Sequence, residues 1–247
     1  MEWIKEFYDK QEKWSRCYTG PITEFHTDKV LEVEKVVGSA PKKILELGSG
    51  GGQFAVAASA RGHTVVAIDL NKSFVEHGQS LAKEESQKVR FIEGNFYDVT
   101  LEDKFDVVCY WDGFGIGSDK DQKLLLHRIS NWLKPKGKAF IDLYTPWYWA
   151  SVAGQKTSSQ AFERSYGFEP YECRMIDKWW PRGDESQAVE QSLRCYSPAD
   201  FKMLLEGTEL MVDRISPGAA MDYKNMVFVE KAPLAEAMSY LAIVKEK

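Results

Sequence analysis

The segment I-L-E-L-G-S-G-G-G-Q, Ile44–Gln53, puts a carboxylate and a run of glycines where an apolar stretch ends. Glu46 supplies the carboxylate, and a helix-like segment, Phe54–Ala60, follows. The glycines are Gly48, Gly50, Gly51 and Gly52. A strand that turns tightly into a helix exposes the first backbone N–H groups of the helix, and glycines allow a ligand to approach that backbone closely. The segment therefore predicts a site for a nucleotide-like ligand at the carboxyl end of an α/β sheet.

Two well-known nucleotide-binding patterns do not fit this turn. A dinucleotide fingerprint requires G-x-G-x-x-G, and the sixth position counted from Gly48 is Gln53 rather than a small residue. A P-loop requires G-x-x-x-x-G-K-[ST], and no Lys-Ser or Lys-Thr pair follows the turn. Taken alone, the turn is also compatible with a glycine-rich loop that binds nothing.

A second carboxylate, Asp69, follows the β-branched run Thr64–Ile68. A carboxylate at the end of a strand beside a glycine turn can accept hydrogen bonds from both ribose hydroxyls of a nucleoside. The alternative is an ordinary solvated aspartate. With the glycine turn upstream in register, ribose binding is the interpretation we favour.

The spacing of Glu46, Gly48, Gly50 and Gly52 resembles the first motif of the class I S-adenosylmethionine (SAM) methyltransferases, an acidic residue two positions before G-x-G-x-G. The resemblance extends to the small-molecule, ubiquinone-biosynthesis-type branch. It covers Lys43–Tyr144 well, and Arg194–Ile215 with the tail less closely. It implies an α/β, Rossmann-like class I methyltransferase fold with a seven-stranded, mostly parallel sheet whose last strand is antiparallel. Helices would cover both faces, and an extra insert would follow strand 5.

The same resemblance implies SAM as the cofactor, S-adenosylhomocysteine as the product, and a set of contacts. Asp69 would hold the ribose, Leu70 and Phe96 would pack on the adenine, and Glu46 would hold the cationic methionine end. Asn95 stands where the family has aspartate, and it could equally be a turn residue. The cofactor-binding residues predicted in the core are Glu46, Gly48, Ser49, Gly50, Gly52, Asp69, Leu70, Asn95, Phe96, Tyr110 and Trp111.

Aromatic residues in the N-terminal segment give the resemblance a further consequence. Family members often fold such an arm over the cofactor, which would make Tyr8, Trp14 and Tyr18 part of a lid. The alternative is that these rings belong to a helix surface or to the core.

Methyl transfer from a sulfonium requires little chemistry from the protein beyond alignment, and a general base only if the nucleophile arrives protonated. Asp112, after the buried run Phe105–Tyr110, is the best-placed ionisable residue, followed by Tyr144 after Lys138–Tyr144. Asp112 could alternatively cap its loop. None of the histidines falls at a carboxyl strand end, so surface or packing roles are expected for His26, His63, His77 and His127. No metal site is predicted.

Alternating strands and helices predict that 1–247 form a single methyltransferase domain. Its parts would be an N-terminal helical arm, 1–38, broken near Gly20-Pro21; a SAM-binding core, 39–144; an aromatic-rich substrate-side insert, 145–193; and the C-terminal part of the sheet, 194–247. Within the insert, strands are expected at Glu172–Trp180 and Ala188–Tyr196. Ser197 would begin a helix with Pro198 in its first turn.

Composition limits the partners. The 247 residues are 44% hydrophobic and carry a net charge of −5, which disfavours non-specific nucleic-acid binding. The four widely spaced cysteines favour reduced thiols in the cytoplasm, the charged N-terminus is not a signal peptide, and no apolar run could span a membrane. Trp and Tyr in the insert favour a small-molecule acceptor, methylated on N or O by a monomer or homodimer. The alternatives are a methyltransferase acting on RNA or protein, a non-catalytic SAM-binding protein and, less favoured, a nicotinamide oxidoreductase.

Overall fold

A computed structural model describes residues 2–247, so Met1 of the predicted arm lies outside the described residues. The helices are α1 (Glu2–Ser15), α2 (Glu24–Val37), α3 (Gln53–Ala60), α4 (Lys72–Glu84), α5 (Asp119–Trp132), α6 (Pro146–Ser151) and α7 (Pro198–Leu204). The strands up to the insert are β1 (Lys43–Leu47), β2 (Thr64–Asp69), β3 (Val89–Glu93), β4 (Phe105–Phe114) and β5 (Leu133–Tyr144). Those that follow are β6 (Lys156–Ser158), β7 (Phe162–Glu169), β8 (Arg174–Pro181), β9 (Val189–Arg194), β10 (Leu210–Pro217), β11 (Ala220–Asp222), β12 (Val227–Val229) and β13 (Ser239–Glu246).

The main sheet has seven strands in the order β10-β13-β5-β4-β1-β2-β3. Strands β1 to β5 pair in parallel, whereas β13 runs antiparallel to both of its neighbours, β5 and β10. The predicted seven-stranded sheet with an antiparallel last strand is therefore confirmed. The strand order reverses between β1 and β4, and such a switch point leaves a crevice at the carboxyl ends of the strands.

Helices cover both faces of this sheet because its central strands are apolar on both sides. In β1, Ile44 packs with Val30 of α2 and Phe54 of α3 on one face. The next residue, Leu45, packs on the other face with Leu125 of α5 and Phe201 of α7. A strand buried on both faces reads as a continuous hydrophobic run, which explains why β1, β2 and β4 are easily recognised in the sequence.

The predicted break in the N-terminal arm is confirmed: α1 ends at Ser15, and α2 begins after Thr23, its N-cap residue. Helix α1 buries Ile4 and Phe7. Helix α2 is anchored at its far end, where buried Glu34 forms an ion pair with Arg61 (2.6 Å) and contacts His63 Nε2 (3.2 Å).

The insert contains a second sheet, antiparallel, in the order β6-β7-β8-β9. The expected strands at Glu172–Trp180 and Ala188–Tyr196 correspond to β8 and β9. Strand β7 is an addition, although Phe162, Tyr166 and Phe168 alternate along it. Glu163, Arg164 and Gly167 between them obscure that period. In the sheet, Arg164 pairs with Asp177 of β8, and Glu163 accepts a hydrogen bond from Trp180 Nε1 (2.7 Å).

The C-terminal part begins with α7, whose predicted cap is confirmed. Ser197 Oγ accepts a hydrogen bond from Asp200 N (3.1 Å), and Pro198 occupies the first turn. The strands β10 and β13 complete the main sheet. The small β11–β12 hairpin between them was not predicted, because its two strands have only three residues each. Across 2–247, no helix combines the length and apolar character needed to cross a membrane.

Candidate functional site

A cavity of about 310 Å³ lies at the carboxyl ends of the parallel strands, beside the turn that joins β1 to α3. This volume is within the range of pockets that bind small ligands. Thirteen of the predicted site residues line it: Tyr8, Tyr18, Glu46, Gly48, Ser49, Gly50, Asp69, Leu70, Asn95, Phe96, Tyr110, Trp111 and Asp112. The structure thus brings the arm, the glycine turn and the ends of β2 and β4 around one space.

The carboxylate of Asp69, at the end of β2, fixes the conformation of the glycine turn. Gly48 and Gly50 have φ of 62° and 51°, in the left-handed region that glycine adopts without a Cβ clash. Gly50 N donates to Asp69 Oδ2 (2.7 Å), and Asn71 N donates to Asp69 Oδ1 (2.8 Å). Asp69 therefore fixes two loops of the cavity wall at once. Burial raises its pKa to about 6.

Three buried polar atoms in the cavity wall have no hydrogen-bond partner among the described residues: Glu46 Oε2, Ser49 Oγ and Trp111 Nε1. Leaving such groups unpaired costs about 1–3 kcal/mol each, so a ligand with complementary groups is expected in this space. Glu46 is only 3% exposed, and burial together with the charge of Asp69 raises its pKa. A cationic amino group would relieve both effects, and the methionine end of SAM carries one. The residues present therefore fit this cofactor.

Lys29 of α2 is a cavity residue that the sequence analysis did not single out. Its Nζ lies 4.7 Å from the centre of the Trp111 ring and 3.5 Å from Asp142 Oδ2, and both partners line the cavity. Lys29 precedes Val33 by one helical turn on the buried side of α2. In the sequence, the available signal for this residue was a lysine next to the apolar side of the predicted helix.

Gln53, the residue that breaks the dinucleotide pattern, attaches the arm to the glycine turn. Its Nε2 donates to the backbone oxygens of Tyr18 (2.7 Å) and Gly20 (3.0 Å). The arm also lies directly on the turn, since a Cβ added to Gly51 would be 2.1 Å from Tyr18 O. Tyr8 and Tyr18 stack edge to face at 5.6 Å between ring centres. The arm therefore forms a wall of the cavity.

Asp112 lies where β4 passes the cavity. Its φ is 48°, an uncommon backbone conformation for a non-glycine residue. The hydroxyl of Tyr144 at the end of β5 donates to Asp112 Oδ1. The side chain is open to the cavity, and the surrounding protein limits its hydration and so raises its pKa. Tyr144 does not itself line the cavity but contacts it through this carboxylate.

Two predicted cofactor residues lie elsewhere. Trp14 is six residues after Tyr8, about 240° further around α1 at about 100° per residue, and is not a lining residue. Gly52 lies behind the cavity, where an added Cβ would be 2.6 Å from the Phe91 ring. Asn95 does line the cavity, but its Oδ1 accepts from Tyr97 N (3.0 Å), the bond expected of a turn residue.

The histidines have local contacts. His26 is half-buried at the cavity, burial lowers its pKa, and its Nδ1 accepts a hydrogen bond from Thr23 N (3.1 Å) at the start of α2. His63 is buried against Glu34, and His77 Nδ1 contacts Gly51 O (2.8 Å). Each of these two histidines therefore contributes to packing within the fold. Across residues 2–247 there is no group of three or more His, Cys, Asp or Glu able to hold a metal ion.

A buried polar network connects the insert with the arm. Arg164 of β7 forms two hydrogen bonds to the fully buried Asp177 of β8 (2.6 and 2.7 Å). Gln191 of β9 donates to Asp177 Oδ2 (3.1 Å) and accepts from Tyr8 OH (3.2 Å). The guanidinium also lies 4.5 Å from the centre of the Tyr166 ring. Through Tyr8, the insert therefore supports the part of the cavity wall that the arm contributes.

Comparison with known proteins agrees with this geometry. Residues 44–137 match the methyltransferase-domain family. A cypemycin N-terminal methyltransferase from a Streptomyces species is 31% identical over 119 residues, 47% of this chain and 48% of that protein. A ubiquinone biosynthesis O-methyltransferase from Rickettsia conorii is 30% identical over 112 residues, 45% of this chain and 38% of that protein. The chain thus spans about half or less of the length of these relatives.

Among solved structures, a SAM-dependent methyltransferase from Clostridium acetobutylicum superposes with a TM-score of 0.73, covering 98% of each chain at 16% identity. That likeness concerns the fold. Together with the sheet order, it confirms the predicted class I methyltransferase fold, and residues 44–137 match a methyltransferase domain.

Proposed function

We propose that residues 1–247 act as one domain that transfers a methyl group from SAM to N or O of a small organic acceptor. The observation that carries the proposal is the set of unpartnered buried atoms, Glu46 Oε2, Ser49 Oγ and Trp111 Nε1, around one cavity at the switch point of the sheet. The four free cysteines support a cytoplasmic setting, and the acidic cavity wall argues against a nucleic-acid substrate.

When bound, SAM supplies a methyl group already activated on a sulfonium. The residues of the chain bind the cofactor and orient it toward the acceptor. Asp69 would accept hydrogen bonds from the ribose hydroxyls, and Glu46 would pair with the amino group. Tyr110 and Trp111, which line the cavity next to Asp112 in the chain, would hold the methionine end of the cofactor. Holding two reactants in line in a space shielded from water can lower the barrier by about 7–11 kcal/mol in favourable cases.

Calorimetry with SAM, S-adenosylhomocysteine and NAD tests the proposal directly. We expect micromolar binding of the first two and none of NAD, followed by methyl transfer to members of a panel of small amines and phenols. Salt-sensitive binding of tRNA would instead favour an RNA substrate. Binding of SAM without turnover across the panel would favour a non-catalytic role.

The affinity for adenosine is expected to rise about tenfold between pH 5 and pH 7.5, with a midpoint near pH 6. The pKa of Asp69 is about 6, and its ionised form accepts stronger hydrogen bonds from the ribose hydroxyls. Binding that prefers the ionised form strengthens as the pH rises through that pKa and levels off above it. Adenosine is the probe because it lacks the amino group that pairs with Glu46. Calorimetry in matched buffers should show the rise in the native protein and a flat profile in Asp69→Asn.

We also propose that the arm, 1–38, acts as a lid. Replacing Gln53 with the similarly sized methionine removes the two hydrogen bonds to Tyr18 O and Gly20 O. At about 1 kcal/mol each, their loss should increase arm opening and SAM dissociation roughly tenfold or more. Stopped-flow dissociation and limited trypsin cleavage at Lys13 and Arg16 measure the two effects. Equal rates in Gln53→Met and the native chain, with or without SAM, would mean that the arm is a fixed wall.

A further inference from the structure

The charges around the cavity are unevenly distributed. The carboxylates that line it are Glu46, Asp69, Asp112 and Asp142, and the basic lining side chains are Lys29 and His26. Lys29 pairs with Asp142, so these two contribute little net charge. Glu46 and Asp69 lie at the glycine turn and are assigned to the cofactor. Asp112 remains as an uncompensated carboxylate on the part of the wall that faces the acceptor.

One oxygen of that carboxylate is free for a ligand. Oδ1 accepts from Tyr144 OH, and no described residue donates to Oδ2. The pKa of Tyr144 is raised by burial and by Asp112, which keeps its hydroxyl a neutral donor. Asp112 keeps a positive φ of 48° where β4 passes the cavity wall.

We infer that the acceptor is an amine, bound as an ammonium ion whose N–H groups donate to Oδ2 of Asp112. This inference rests on the proposed function and specifies its substrate class. A phenolate or carboxylate acceptor would instead be repelled by the carboxylates of Asp112 and Glu46, and the nearby cation Lys29 is already paired with Asp142.

The same contact accounts for the proton. The bound ammonium gives one proton to Oδ2 of Asp112, which its N–H group already contacts, and becomes a neutral amine. The nitrogen lone pair then forms a bond to the methyl carbon as the carbon–sulfur bond breaks, and that bond's electron pair stays on sulfur. The methylated product is an ammonium ion, and S-adenosylhomocysteine is neutral at sulfur, so charge and atoms balance.

Matched ligand pairs test the inference without relying on turnover. Benzylamine and benzyl alcohol, and cyclohexylamine and cyclohexanol, differ only in the group that would meet Asp112. In calorimetry with the protein saturated by S-adenosylhomocysteine, we expect at least tenfold tighter binding of the amine of at least one pair. Asp112→Asn should remove this preference and reduce the kcat for that amine about 10- to 50-fold, while the affinity for S-adenosylhomocysteine changes less than twofold.

Asp28→Asn is the matched control, because Asp28 is an exposed residue of α2 outside the cavity wall. It should leave the amine preference intact. The inference is overturned if neither pair shows an amine preference, or if Asp112→Asn retains it. Methyl transfer to phenols in either case would leave the proposed function standing. Failure of SAM and S-adenosylhomocysteine to bind at all would overturn both.

Discussion

Replacing Asp69 with alanine is expected to weaken SAM binding several hundred-fold. The variant loses two charge-assisted hydrogen bonds to the ribose, each worth about 1.5–3 kcal/mol. It also leaves Gly50 N and Asn71 N without their acceptor, so the glycine turn loses its fixed geometry. A combined loss of about 3–4 kcal/mol corresponds to more than a hundredfold in affinity, since each tenfold is about 1.4 kcal/mol. Calorimetric titration with SAM and S-adenosylhomocysteine measures it.

The same substitution should leave the stability of the unliganded protein nearly unchanged, which separates a binding defect from unfolding. Burial raises the pKa of Asp69 from 3.8 to about 6, so keeping this carboxylate ionised at pH 7.5 costs about 3 kcal/mol. Alanine removes that cost, and this gain offsets the lost backbone contacts. Asp69→Asn, which keeps one acceptor oxygen, should show a smaller loss of affinity. Unchanged affinity in Asp69→Ala would mean that β2 does not end at the ribose.

Much of the cofactor end of the site can be predicted from sequence because its determinants are local. Glu46 and the glycines lie within one strand and the turn that follows it, and Asp69 directly ends the next strand. A parallel sheet then brings these strand ends to one edge without any further information.

The remaining walls depend on contacts between distant segments. Gln53 reaches Tyr18 across 35 positions of the chain, and Tyr8 reaches Gln191 across 183. Arg164 is compatible with a half-buried strand only because Asp177 of β8, two residues from the Trp179 that pairs with Arg164, accepts its hydrogen bonds. Such pairings have no local sequence signature. The direction that Trp14 faces depends in the same way on which side of α1 meets the sheet.

The arm and the insert meet at Tyr8, which lines the cavity. Tyr8 OH donates to Gln191, and Gln191 donates to Asp177, which is held by Arg164. Buried ion pairs add little net stability, because desolvation offsets much of their attraction. A rigid position for Tyr8 in the cavity wall is a sufficient reason to retain this one.

Replacing Gly52 with alanine is expected to lower the melting temperature by about 8–15 °C. Its φ of 82° costs a residue with a Cβ about 1–2 kcal/mol. The added Cβ would lie 2.6 Å from Phe91 Cε1 and 3.0 Å from Gly78 Cα, and overpacking of this kind costs about 1–3 kcal/mol. At about 2–4 °C per kcal/mol for a chain of this size, the two effects give the expected shift. Thermal unfolding followed by circular dichroism measures it.

Gly62→Ala isolates the backbone contribution. Gly62 has φ of 89°, and an added Cβ would meet nothing within 4 Å, so only about 3–6 °C should be lost. The difference between the two variants measures how tightly α3 and α4 pack under the Phe91 ring. Phe91→Leu removes the ring atoms that the Cβ would strike, so Gly52→Ala should cost less in that background. Equal losses in Gly52→Ala and Gly62→Ala would show that the third glycine of the motif is required for its backbone conformation alone. A larger loss at Gly52 would mean that this glycine packs the helices that support the cavity, a role distinct from cofactor contact.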